Sequence, residues 1–103
     1  IRLWLALAAL LLGTAAQAQD KRIALTFDDV PRQAGAFFTP AERTERLIAA
    51  LAEARVEQAA FFVTPGRLDT PDGAGGEGRI AAYVAAGHVI ANHSYAHRHL
   101  SKS

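Results

Sequence analysis

The sequence has no cysteine, no methionine and a single tryptophan among its 103 residues, and neither charge sign dominates, with 11 Lys plus Arg against 10 Asp plus Glu. Without cysteine there is no disulfide, so stability must come from packing, from a metal or from further sequence. The charge balance removes any electrostatic case for nucleic acid as a partner. Long apolar stretches are also lacking. The run Leu3 to Leu12 has about half the roughly 20 residues that a spanning helix needs, and polar Thr14 and Gln17 close it. No stable membrane anchor is expected.

That short run has the grammar of a signal peptide. Arg2 precedes it, the small residues Ala15 to Ala18 follow, and Ala16-Gln17-Ala18 occupies the cleavage positions. The expected organisation is a signal peptide over residues 1–18, a mature chain starting at Gln19, and export to the periplasm or beyond the cell. Arg2 is the only charge in residues 1–18, so ten basic and ten acidic residues remain in the mature part. A first residue of Ile rather than Met is expected of a sequence that starts inside its reading frame, and the chain is expected to stop short of a complete domain.

Beyond residue 20 the pattern alternates between two periods. In Lys21 to Asp29 the large apolar residues stand at 23, 25 and 27, the period of a strand, and the strand ends in two carboxylates, Asp28 and Asp29. Val30 to Gly35 reads as loop. Thr39-Pro40-Ala41-Glu42 joins an N-cap residue, Pro at the first helical position and Glu three residues after the cap, which predicts a helix start. Leu47, Ile48, Leu51 and Ala54 give that helix its apolar stripe. Ala59 to Val63 reads as a strand buried on both faces, with Phe61 and Phe62 in the core.

Residues 69–78, with four Gly, read as a flexible surface loop. A second helix is expected over about Glu77 to Ala86, with Ile80, Tyr83 and Val84 as its stripe and Gly87 as its left-handed cap. His88 to Ala91 gives a third strand. Strand, helix, strand, helix, strand implies an α/β fold with parallel strands and crossover helices, whose chemistry belongs at the C-terminal strand ends. The carboxylates and the pair His93 and His97 both stand at such ends.

His93 and His97 are four residues apart, so one helical turn would bring both imidazoles to one face, where two can grip one metal ion. Such pairs also occur on plain surfaces, and paired acids often only close a loop. Two His with one carboxylate, however, form a hydrolytic ligand set that leaves a position open for water. His88 stands at the start of its strand, before the buried run, and reads as a structural residue. His99 reads as exposed, Arg32 as a surface arginine and Tyr95 as a packed tyrosine, although either of the last two could touch a sugar.

Three blocks in order, Thr26-Phe27-Asp28-Asp29, Ala60-Phe61-Phe62-Val63 and Gly87-His88-Val89-Ile90-Ala91-Asn92-His93-Ser94-Tyr95-Ala96-His97, resemble the polysaccharide deacetylases, the NodB-like carbohydrate esterases. The resemblance implies the N-terminal part of a distorted (β/α) barrel, truncated within residues 19–103, and hydrolysis of N- or O-linked acetyl groups on a polysaccharide or cell-wall glycan. It implies Asp28 as general base and Asp29, His93 and His97 as ligands of a divalent metal, zinc above all. The leaving group's proton would come from a His in a later block, beyond Ser103. Val30 departs from the family's usual Gly, and because a β-branched residue resists positive φ, the loop after Asp29 is expected to take its own path. Two other readings use the same residues: a non-catalytic glycan-binding or scaffold fragment of this fold, and a metal-binding periplasmic module that takes no glycan.

Overall fold

The computed structural model describes residues 20–102, so the expected signal peptide lies outside the described residues. Three strands, β1 (Thr26–Val30), β2 (Ala60–Val63) and β3 (Val89–Asn92), form one parallel sheet in the order β1-β2-β3. Helix α1 (Pro40–Glu53) carries the chain from β1 to β2, and α2 (Gly76–Ala85) from β2 to β3. Right-handed crossovers that step each time to the next strand in the same direction place both helices on one face. This winding differs from that of a doubly wound sheet, whose strand order reverses. The expected α/β architecture with parallel strands is present.

The first strand is shorter than its apolar pattern. Pairing begins at Thr26, opposite Ala60, because β2 begins there; the Ala60 N–H still donates to the Leu25 carbonyl at 3.0 Å. Leu25 and Phe27 still pack on the core, whereas Ile23 is 87% exposed. The third strand is shifted by one residue, from the expected His88–Ala91 to Val89–Asn92.

Helix α1 begins as its cap predicts. The Glu42 N–H donates to Thr39 Oγ1 at 3.2 Å, and the Thr39 N–H donates to Glu42 Oε2 at 2.9 Å. Leu51 is buried and Leu47 and Ile48 pack beside it, but Ala54 falls past the last turn as the C-cap. Thr44 is the buried polar residue of the stripe, its hydroxyl 3.3 Å from that of Tyr83. Helix α2 ends one residue earlier than expected, and Gly87 takes the left-handed cap with φ 96°. Tyr83 of its stripe is buried, while Val84 is exposed.

Phe61 forms the centre of the core. It has no exposed surface and its ring lies between Phe27, at 5.0 Å, and Tyr83, at 3.8 Å, both nearly parallel to it. Burying such a side chain contributes about 1.5–3 kcal/mol. Phe62 does not share this core: successive strand residues point to opposite faces, so it stays half-buried and meets the edge of the His93 ring.

Residues 69–78, read as a flexible loop, are ordered: they hold the end of one 3-10 turn, Pro65–Asp69, the whole of a second, Pro71–Gly73, and the start of α2. Thr70, between the two turns, closes the first by donating from both its N–H and its hydroxyl to the Arg67 carbonyl. No helix among the described residues is long and apolar enough to cross a membrane.

Candidate metal centre

Because the strands are parallel, Asp29 at the end of β1 and His93 just past β3 emerge on the same edge of the sheet, on either side of β2. Two strand spacings separate them, roughly 9.5 Å, so both chains must turn toward the middle for the side chains to meet. The β1 side turns at Asp29 itself, which takes φ 64°, a left-handed conformation that Asp tolerates better than most residues. Val30 has no positive φ, so its β-branched side chain meets no backbone strain there.

On the β3 side the turn is not helical, contrary to the expectation of one helical turn from His93 to His97. Ser94 and His97 both have positive φ, 65° and 53°, which an α-helix does not allow. Local hydrogen bonds replace the helix: the Ser94 N–H donates to Asn92 Oδ1 at 2.7 Å, and the His97 N–H donates to Ser94 Oγ at 3.1 Å. The His93 N–H donates to the Val63 carbonyl at 2.8 Å, so the sheet ladder fixes the first imidazole and the turn delivers the second.

The result is a compact triad. Nε2 of His93 and Nε2 of His97 each lie 3.3 Å from Asp29 Oδ1, and the three ligand atoms lie within 4.8 Å of one another. Asp29 Oδ1 is buried and accepts no hydrogen bond, although two ring nitrogens approach it. A buried carboxylate oxygen left without a donor is costly, and a cation between the three groups would relieve that cost. Tetrahedral bonds of roughly 2.0–2.1 Å set ligand atoms about 3.3–3.4 Å apart, which matches the spacing from Asp29 to each imidazole. The donor set therefore fits a divalent ion of the zinc type.

Asp28 is not one of the three grouped residues. It is exposed and lines, with Asp29, Thr26, Arg32 and Thr44, an open cavity of ≈ 370 Å³, whereas His93 and His97 line a second hollow with Asn92 and Arg98. His88 is structural, as expected: it is buried, its Nδ1 accepts the Ala59 N–H at 3.0 Å, and its ring packs on Phe61. His99 and Arg32 are exposed. Tyr95 is 64% exposed rather than packed. Its hydroxyl donates to Asp69 Oδ2 at 2.9 Å, and this bond, aided by the Asp69 charge, holds the phenol above its ordinary pKa.

Sequence reasoning passed over one neighbour of the triad. Arg67 donates from Nη1 to the Asp29 carbonyl at 3.2 Å, and its Nη2 lies 3.9 Å from Asp29 Oδ1. Nothing in its local sequence marks it, because the contact depends on how the turn after β2 sits against the end of β1.

A family model described as Polysaccharide deacetylase matches residues 15–103. No curated protein matched the chain, and no solved structure did.

Proposed function

The chain belongs to the polysaccharide deacetylase family, and from that premise we propose that it carries the metal-binding part of a hydrolase that removes N- or O-linked acetyl groups from a polysaccharide or cell-wall glycan. Asp29, His93 and His97 hold a divalent cation, zinc by preference. The observation that carries this reading is the undonated Asp29 Oδ1 with an imidazole nitrogen 3.3 Å away on each side. The single direction in which the strands wind supports their being the first strands of a distorted (β/α) barrel, in which the C-terminal strand ends form the active site.

The cation, when bound, supplies Lewis acidity at the acetyl carbonyl and at the attacking water. The chain's own residues do the rest. The His97 side chain is 50% exposed, so the triad meets solvent on that side, where a glycan acetyl group can enter. Asp28 is the general base: as the water oxygen bonds to the acetyl carbon, a carboxylate oxygen of Asp28 takes the water's proton. The bond to the sugar's nitrogen or oxygen then breaks as that atom takes up a proton, a role the family resemblance gives to a His of a later block, and a free amine or hydroxyl and acetate result. The exposure of Asp28, on the strand end beside a metal ligand, supports this role by leaving its carboxylate open to a reacting water.

Replacing Asp28 by Asn in the full-length enzyme is expected to reduce acetate release from an acetylated glycan by about 10²–10⁴-fold while zinc affinity stays at the wild-type level. Undiminished turnover in this variant would remove Asp28 from the role of base. Export is part of the same reading, supported by Arg2, the apolar run after it and Ala16-Gln17-Ala18. N-terminal sequencing of protein from the periplasmic fraction should begin at Gln19, and an intact Arg2 there would count against it.

A further inference from the structure

The two segments that bear the metal ligands are far apart in sequence, and the internal hydrogen bonds of residues 92–97 shape the histidine turn without tying it to the sheet beyond His93. What ties it lies in the first 3-10 turn after β2. The Gly66 N–H donates to the Tyr95 carbonyl at 2.8 Å, midway between the two histidines, and Asp69 accepts the Tyr95 hydroxyl at 2.9 Å. The approach is close enough to require glycine: a Cβ on Gly66 would lie 2.5 Å from the Tyr95 oxygen and 3.2–3.3 Å from two carbons of its ring. From the same turn Arg67 reaches the other way, to the carbonyl of Asp29, the residue whose left-handed backbone aims its carboxylate at the imidazoles.

We infer that the turn Pro65–Asp69 is the positioning element of the metal centre, a clamp that grips the histidine turn through Gly66 and Asp69 and the aspartate through Arg67. The inference rests on the proposed metal site but concerns residues that touch no metal. It explains why the turn is ordered despite its glycine-rich surroundings: one short segment sits at the end of β2, between the two ligand-bearing strands, and is the shortest bridge from one to the other. It also gives the exposed Tyr95 a task other than sugar contact, since a ring with its outer face in water contributes little through packing while its carbonyl and hydroxyl are both engaged.

The test uses Tyr95→Phe, Asp69→Ala and the double variant in the full chain. The altered groups lie at an exposed hydrogen bond, so all three should fold, and their melting temperatures in EDTA should stay within about 2 °C of wild type, in line with the small effect of surface changes. Zinc affinity, measured by competition with a chelator, is expected to fall about tenfold in each single variant, as for other groups that orient metal ligands. The double variant should lose no more than either single one, because both remove the same bond. In the metal-free chain, hydrogen exchange at the Gly66 amide should quicken in all three. Wild-type zinc affinity together with unchanged Gly66 exchange would overturn the clamp. If the wild-type chain itself takes no zinc, the metal reading falls, and the exchange comparison alone decides whether the turn holds residues 93–97.

Discussion

Replacing Asp29 by Asn should reverse the order of stability between variant and wild type according to whether zinc is present. In the metal-free chain, Asp29 Oδ1 is buried without a donor, a state that costs about 1–3 kcal/mol. The side chain is 26% exposed, which places the cost toward the lower end. Asn removes the charge, keeps the shape and accepts the left-handed backbone at φ 64° as readily as Asp. It also loses the 3.9 Å approach of Arg67, an ion pair worth at most about 1 kcal/mol. The balance favours the variant by about 1 kcal/mol, or roughly 4–8 °C in melting temperature for a small domain.

Zinc at a hundred times its dissociation constant then adds about 2.7 kcal/mol to the wild type and little to the variant, leaving wild type ahead by about 2 kcal/mol. Thermal unfolding followed by circular dichroism, in EDTA and in zinc, measures both halves. The reasoning fails if Asp29→Asn melts below wild type in EDTA, or if zinc raises both melting temperatures equally.

Two further outcomes follow from the packing and the cap. Phe61→Ala removes the fully buried ring between Phe27 and Tyr83 and should cost about 3–5 kcal/mol, read from the shift of a urea melt at constant slope. Glu42 is held below the ordinary carboxylate range by the Thr39 N–H first and the Thr39 hydroxyl second, with Arg46 adding a smaller push in that direction against a slight opposing effect of burial. A carboxylate with a lowered folded pKa contributes stability that is complete above its ordinary value near 4.5 and fades as the pH falls through the lowered one. Glu42→Gln should flatten the pH dependence of the melting temperature below that range, because the amide oxygen can still accept the Thr39 N–H but carries no charge that titrates.

The sequence showed most clearly those elements whose signals are local. Thr39, Pro40 and Glu42 announced the start of α1 because a capping box is complete within four residues, and Gly87 announced the end of α2 because a left-handed cap needs a single residue. The grouping of Asp29, His93 and His97 was legible as well, as residue types at strand ends. What stayed hidden depended on partners distant in the chain. Apolar alternation from residue 21 onward could not reveal that the ladder begins only at Thr26, since that limit is set by where β2 starts. The run Ala59 to Val63 could not show that Phe61 enters the core while Phe62 faces His93. Spacing of four suggested a helix for the histidines, but Asn92 and Ser94 supply side-chain acceptors that compete with helical hydrogen bonds, and the chain takes the tighter turn. Gly66, Arg67 and Asp69 gave no local sign of a role, because the bonds that reach the site run to Tyr95 and Asp29, at least 26 positions away.

X-ray absorption at the zinc edge of the full chain, loaded with one equivalent of the metal, tests the central claim most directly. The account predicts two imidazole nitrogens and oxygen ligands at about 2.0–2.1 Å, with the imidazole signal halved in His93→Ala and in His97→Ala. A spectrum without imidazole scattering, or one unchanged by either substitution, would contradict it.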